Sequence, residues 1–474
     1  CMNQYIQYHF IYLELPYPMK NGKSYTVKVA NLADNTDEWA IVFNDKQTRS
    51  VAIHSNQLGY SPIGNKRYAY VSQWMGDLGS LDIDAYDGAR FDIYPVNSDG
   101  TPGASAYNGT LQKQKDYETG GADSHRADIG PNKNFVKSDV WECDFSGFDT
   151  PGEYIIAIDS IGCSYPFRIH EDAYHKAYYY AARAVYFERA ITELPKQYAG
   201  IYHRPEWTDR EIVYTVVRTM DLTDESGKNQ KQRIFDSIDY TFDVSGIHGW
   251  YHDAGDWDGY FSHFRVPRSL MYTYELVPDN FSDGELNIPE SQASNGFANT
   301  HMPDILDEAV WLVDYFKNNI GPTGGIFGSR VQPDISTKSG LSDVAYHENQ
   351  GFDFKDDNKP LKTSFTDYRT WIVHGEDPRD SYAFASIAAQ YVHCLKIAEG
   401  KTGEDYSSIM TDYQTAAENA YTWASNNTRS GDENKKHFIE NRAAAASWLY
   451  KITGNQPYLD QLKADLLAKN ISSS

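Results

Sequence analysis

Residues 249–261, GWYHDAGDWDGYF, set Asp253, Asp256 and Asp258 among Gly249, Gly255 and Gly259, with Trp250, Tyr251, Trp257 and Tyr260 alongside. So many glycines and aspartates cannot make a helix core, but they let a backbone approach a ligand closely. Two carboxylates three residues apart in a tight turn can hold one water between them. A carboxylate that deprotonates water is half of what inverting hydrolysis of a glycosidic bond requires, the other half being an acid on the leaving oxygen. The aromatic rings suit the flat faces of sugars. A run rich in Asp and Gly also serves as a calcium loop or a plain surface turn, although the D-x-D-x-D-G order of an EF-hand is absent.

The bulk chemistry narrows the ligand class. A formal charge of −23 with no Lys/Arg-rich run repels phosphate backbones and anionic lipid, which disfavours nucleic acid and acidic polymers and leaves a neutral ligand. The 37 Tyr and 10 Trp give sugar-stacking surfaces in plenty, although most will be core residues. Cys1, Cys143, Cys163 and Cys394 lack metal-ligand spacing, so no metal site is expected. Cys143 and Cys163 lie near neighbouring strands, where a disulfide and two buried thiols are both open readings. No apolar window is long enough to span a membrane, and the first residues lack the parts of a signal peptide. Cys1 could be a lipid-bearing residue left after cleavage of a leader. Strand-like residues begin almost at once, which favours the edge of an incomplete sequence.

The elements that must position the Asp run fall into two regimes. Up to about residue 170 short β-rich runs alternate with turns: Ile11–Leu15, SYTVKV, EWAIVF, RSVAIHSNQ, KRYAYVSQ, ARFDIYPV, DVWECDF and GEYIIAID. Such spacing predicts a β-sandwich. The period then becomes helical, with Ala173, Ala177, Tyr180, Ala184 and Phe187 along one face. MPDILDEAVWLVDYFKNNIG predicts a helix beginning at Pro303 and ending by Gly321, with Leu306, Ala309, Leu312, Val313 and Phe316 on its buried face. Further helices are expected in residues 380–399, 405–426, 441–452 and 456–469, and no strand after residue 170 is strong enough to propose a sheet. A polar loop of about residues 329–368 precedes the helices.

HDAGDWDGY resembles the Asp-Ala-Gly-Asp signature of family 9 glycoside hydrolases, and other runs match the same branch in order. IHSNQLGYSP with Lys66 is similar to the opening of the immunoglobulin-like domain that precedes the catalytic barrel there, and SYPFRI to its end. DAYHKAYYYAARAVYFERA, LNIPES, MPDILDEAVWLVDYF and AAASWLYKITGNQPYL are similar to barrel segments. The resemblance implies a β-rich lead-in over residues 1–50, an all-β immunoglobulin-like sandwich over 51–170, and over 171–474 the first portion of an all-α (α/α)6 barrel, incomplete here.

It also implies a secreted, extracellular enzyme that cleaves β-1,4-glucosidic bonds of cellulose or related β-glucans with inversion. Position by position, Asp256 matches the catalytic base and Asp253 the aspartate that orients the same water. Trp257 and Trp371 match candidate sugar contacts, with a core or lid role for Trp371 an equal reading. No cofactor is required, and a structural calcium is compatible with the resemblance without a specific ligand set. The family's general acid is a Glu late in the barrel. None of Glu290, Glu376 or Glu440 sits in such a motif, so the isolated chain is expected to be inactive. The rival readings are a β-glucan-binding protein without turnover and a polysaccharide lyase on a similar toroid, the latter disfavoured by the acidic surface.

Overall fold

The computed structural model describes residues 10–29, 38–115, 138–206, 212–223, 234, 236–244, 247, 249–253, 259–291, 301–333 and 371–469. It divides into two compact units, Cys1–Tyr178 and Tyr179–Ser474.

In the first unit β1 (Ser24–Lys28) and β2 (Glu38–Val42) form a separate antiparallel hairpin. The main sheet runs in the order β10-β8-β5-β6-β7-β4-β3, with β9 on β8. These strands are β3 (Ile53–His54), β4 (Tyr68–Val71), β5 (Arg90–Pro95), β6 (Tyr107–Lys115), β7 (Val140–Asp144), β8 (Gly152–Ile158), β9 (Gly162–Cys163) and β10 (Phe167–Ile169). The long β6 pairs with β5 through Tyr107–Thr110 and with β7 from Leu111 onward, passing from one layer of a sandwich to the other. Alternation decides what faces inward: Ala69 and Val71, Phe91 and Ile93, and Trp141 and Cys143 meet Tyr154, Ile156 and Ile158 in one core. The other face of β8 presents Ile155 and Ala157 to Cys163 in a second cluster. Cys143 and Cys163 therefore belong to different cores, and both are free. Ile11–Leu15, expected as a strand, lies exposed outside any strand.

The second unit is built on helices. α1 (His175–Phe187) crosses the division between the units; α2 (Arg265–Leu276), α3 (Asp304–Asn318), α4 (Pro378–Thr402), α5 (Ser407–Asn426), α6 (Lys436–Thr453) and α7 (Gln456–Lys469) follow. α4 is the hub, packing against α2, α3, α5 and α6, while α7 packs on α6. Its residues from Pro378 to Val392 are all buried, and the small Ala383, Ala385, Ala388 and Ala389 let neighbours close in on several sides. Asp377 caps it by accepting from Arg379 N at 2.9 Å, Pro378 occupies the first turn, and Gly403 ends it at φ +77°. On α3 the expected face of Leu306, Ala309, Leu312, Val313 and Phe316 is buried.

Three expectations change. α1 buries Ala182, Arg183 and Tyr186 and leaves Tyr180 61% exposed, because the Arg183 guanidinium donates to the carbonyls of Leu286, Asn287 and Tyr198 and turns its own face inward. α2 was not anticipated; its buried Pro267, Met271 and Tyr274 follow helical spacing amid polar residues. The second unit also contains a four-stranded sheet, β12-β11-β14-β13, made of β11 (Ile212–Arg218), β12 (Ile238–Asp239), β13 (Val331–Pro333) and β14 (Trp371–Gly375). β14 runs parallel to β11 and is buried at every residue, so it carries no alternation to betray it. Residues 334–370, most of the expected polar loop, lie outside the described residues.

Candidate active site

The Asp-rich run is held at both ends. On its N-terminal side Gly249, at φ +104°, turns the chain into a short extended segment. Trp250 O accepts from Ala190 N at 2.7 Å and His252 N donates to Glu188 O at 2.8 Å, making a bridge between Tyr251 and Arg189. The buried Tyr251 hydroxyl donates to Glu308 Oε1 at 2.7 Å, and Arg189 Nη2 lies 2.9 Å from Glu308 Oε2. Burial holds the Tyr251 pKa well above the ordinary phenol value, so this hydroxyl stays a donor. The Arg189 guanidinium also sits 4.4 Å from the Trp311 ring centroid.

On the C-terminal side Gly259 extends the edge of β13: its N donates to Val331 O at 2.9 Å and its O accepts from Val331 N at 3.1 Å. A Cβ at Gly259 would lie 3.3 Å from both Trp250 and Val331, so a larger residue there would press on these two side chains. Arg330 Nη1 donates to Gly259 O at 3.2 Å while its guanidinium lies 3.7 Å from the Tyr260 ring centroid. A single turn, Phe261–Phe264, then leads into α2. Phe264 stacks on Phe316 at 4.1 Å, and the Arg379 guanidinium sits 3.9 Å from the Phe261 ring.

Asp253 has a side chain 43% exposed, and its Oδ1 lies 3.4 Å from His263 Nε2. His263 Nδ1 accepts from Tyr260 N at 3.4 Å, which places the proton of the neutral ring on Nε2, facing Asp253. Burial lowers the His263 pKa; Asp253 opposes that and Arg330 adds to it. Asp256 and Trp257, with Asp258, lie in 254–258, outside the described residues. Trp371 opens β14, is fully buried and meets Trp250 at 6.4 Å between ring centroids, so it does not lie on an open surface.

Beneath these residues lies a buried polar network that the sequence did not announce. Burial, with Asp377 beside it, raises the Asp380 pKa above the ordinary carboxylate value, and Asp380 accepts from Ser329 Oγ. Arg218 Nη2 pairs with Asp432 Oδ2 at 3.0 Å, and Asp377 accepts from Met220 N at 2.6 Å. His374, fully buried, is pushed down to about 3 by burial and by the Arg330 and Arg379 charges, so it is neutral. Glu308 was legible in principle: it falls three after Ile305 and four before Leu312 on a buried face, where a charge must find a partner.

The three glutamates weighed from sequence have other surroundings. Glu376 accepts from Thr323 N at 3.0 Å, Thr323 Oγ1 at 2.9 Å and Gly325 N at 2.7 Å, and so fastens the Gly321–Gly325 turn. Glu440 pairs on the surface with Lys436 and His437. Glu290 lines a cavity of about 220 Å³ with Glu193, Trp311 and Asp314. Among the described residues no cluster of three or more His, Cys, Asp or Glu could hold a metal ion, and no helix is long and apolar enough to cross a membrane.

Comparison with known proteins adds the lineage. The family model described as glycosyl hydrolase family 9 matches residues 174–473. A xyloglucan-specific endo-β-1,4-glucanase of Bacteroides ovatus is 26% identical over 341 residues, which cover 67% of this chain and 49% of the relative. A cellulose 1,4-β-cellobiosidase of Acetivibrio thermocellus is 33% identical over 196 residues, covering 37% and 20%. The chain thus spans about half the length of the first of these relatives and a fifth of the second. Among solved structures, a Bacteroides ovatus family 9 protein superposes with TM-score 0.57 at 23% identity, covering 87% of this chain and 64% of that one. A metagenome-derived family 9 endoglucanase superposes with TM-score 0.57 at 19% identity, covering 88% and 64%. At these identities the likeness shows the fold: a β-sandwich followed by helices that form part of an (α/α)6 barrel.

Proposed function

The chain belongs to glycosyl hydrolase family 9, and on that premise we propose that the protein is a secreted, inverting hydrolase of β-1,4-glucans whose general base is Asp256. In this reading a water attacks the anomeric carbon, Asp256 takes the water's proton, and the bond from that carbon to the leaving sugar oxygen breaks as an acid protonates the oxygen. Asp253 accepts from the same water and sets its direction. Trp257 offers a face to a neighbouring sugar, whereas the burial of Trp371 favours a packing role against Trp250. The general acid is assigned to none of Glu290, Glu376 and Glu440.

The observation that carries the reading is the double anchorage of the Asp run, by Tyr251 on the Arg189–Glu308 pair and by Gly259 and Tyr260 on β13 and Arg330. A general base needs its carboxylate fixed to within a fraction of an ångström, and misplacement by about 1 Å can cost on the order of a hundredfold in rate. The acidic surface favours an uncharged polymer, and such a polymer is met outside the cell. The relatives' named substrates, xyloglucan and cellulose, share the β-1,4-glucan backbone.

The test is reducing-sugar release from a soluble β-1,4-glucan by the intact protein. Asp256→Asn should lower turnover roughly 10²- to 10⁴-fold while glucan binding persists, and Asp253→Asn should lower it less. Full turnover in Asp256→Asn would sink the assignment. Glucan binding by the unaltered protein without any release would favour a binding protein instead.

A further inference from the structure

We propose that His263 is a positioning residue for Asp253, one imidazole ring clasping together the two ends of the Asp run. The inference rests on the reading of Asp253 as the carboxylate that directs the attacking water. The ring touches Asp253, before the run's centre, through Nε2, and Tyr260, after it, through Nδ1. Both contacts are 3.4 Å, long for hydrogen bonds, so each alone is weak; together they tie positions seven residues apart to one rigid plane. The plane itself is fixed. His263 sits in the turn Phe261–Phe264, whose ends are held by Arg379 over Phe261 and by Phe264 on Phe316, and its side chain is only 12% exposed. With Nε2–H directed at Oδ1, the other Asp253 oxygen is left to accept from water.

The clasp works only with a neutral ring. Protonation would set a second N–H at Nδ1 against the Tyr260 N–H, donor facing donor, and open one side. Among the described residues the charged groups facing His263 are Asp253 from the run and Arg330 from the chain entering β13; Asp253 favours the cation, while Arg330 and burial disfavour it. The balance keeps the ring neutral at neutral pH and places its opening on the acid side.

A double-mutant cycle on the intact protein tests this, with kcat and KM measured on a soluble β-1,4-glucan and the histidine tautomer read by ¹⁵N NMR. His263→Ala should lower kcat roughly ten- to a hundredfold with KM changed less than about twofold. His263→Gln, whose amide can still donate from the ε position, should recover most of the loss. In an Asp253→Asn background His263→Ala should cost little more, because the two residues act as one unit. The NMR should show the Nε2–H tautomer, disturbed by Asp253→Asn. Equal losses from His263→Ala in both backgrounds, no recovery with Gln, or an Nδ1–H tautomer would each overturn the proposal. Full activity in Asp256→Asn would instead overturn the hydrolytic reading, and the tautomer measurement would still report on the clasp.

Discussion

Arg189 and Glu308 form an ion pair with side chains 3% and 0% exposed, and Tyr251 completes it by donating to the second carboxylate oxygen at 2.7 Å. A charge so placed is costly to orphan. Glu308→Ala leaves the Arg189 guanidinium buried without its counter-charge and should destabilise the helical unit by about 3–5 kcal/mol. Tyr251→Phe removes one hydrogen bond to a charged acceptor and should cost about 1.5–3 kcal/mol. Denaturant unfolding followed by tryptophan fluorescence measures both. A loss below about 1 kcal/mol in Glu308→Ala would show that the pair does not hold the run's N-terminal anchor.

Asp304, at the start of α3, accepts from Gly284 N at 2.7 Å and Leu286 N at 2.6 Å, yet burial pushes its pKa up to about 6. The folded chain thus binds this proton more tightly than the unfolded chain, whose carboxyl titrates near 4. The stability that follows is present in full below about pH 4 and is lost as pH rises through 6. Asp304→Asn keeps the group neutral throughout. Its unfolding free energy should therefore gain on that of the parent by up to about 3 kcal/mol between pH 4 and 7. A gap between the two proteins that does not change with pH would contradict the shift.

Trp371, fully buried against Trp250, should behave as core. Trp371→Ala should cost about 3–5 kcal/mol of stability, while Trp371→Phe should fold with KM for a soluble glucan near that of the parent. A KM raised severalfold in Trp371→Phe with unchanged stability would return this residue to the sugar-contact role that the family resemblance implied.

Where the sequence carried a period, it could be read. Leu306, Ala309, Leu312, Val313 and Phe316 mark α3 because each buried position recurs at helical spacing, and Phe91 with Ile93 marks β5 because burial alternates. β14 escaped because strands buried on both faces show no alternation, and its partners come from residues 212–218 and 331–333. The α1 face was misjudged because a buried arginine reads as surface until its carbonyl partners are known. At the candidate site the run's composition announced itself, and with the family resemblance it singled out Asp253 as a candidate. Its supports, His263, Arg330, Glu308 and Arg189, lie 10, 77, 55 and 64 residues from Asp253 in the chain, and only folding brings them together.

The central claim is that the Asp run activates water for direct displacement at the anomeric carbon. Proton NMR of the first product that the intact protein releases from a soluble β-1,4-glucan tests it most directly. The account predicts that the α-anomer appears first and the β-anomer only later, by mutarotation. Initial appearance of the β-anomer would contradict it, since retention requires a nucleophilic carboxylate and a covalent intermediate rather than a base acting on water.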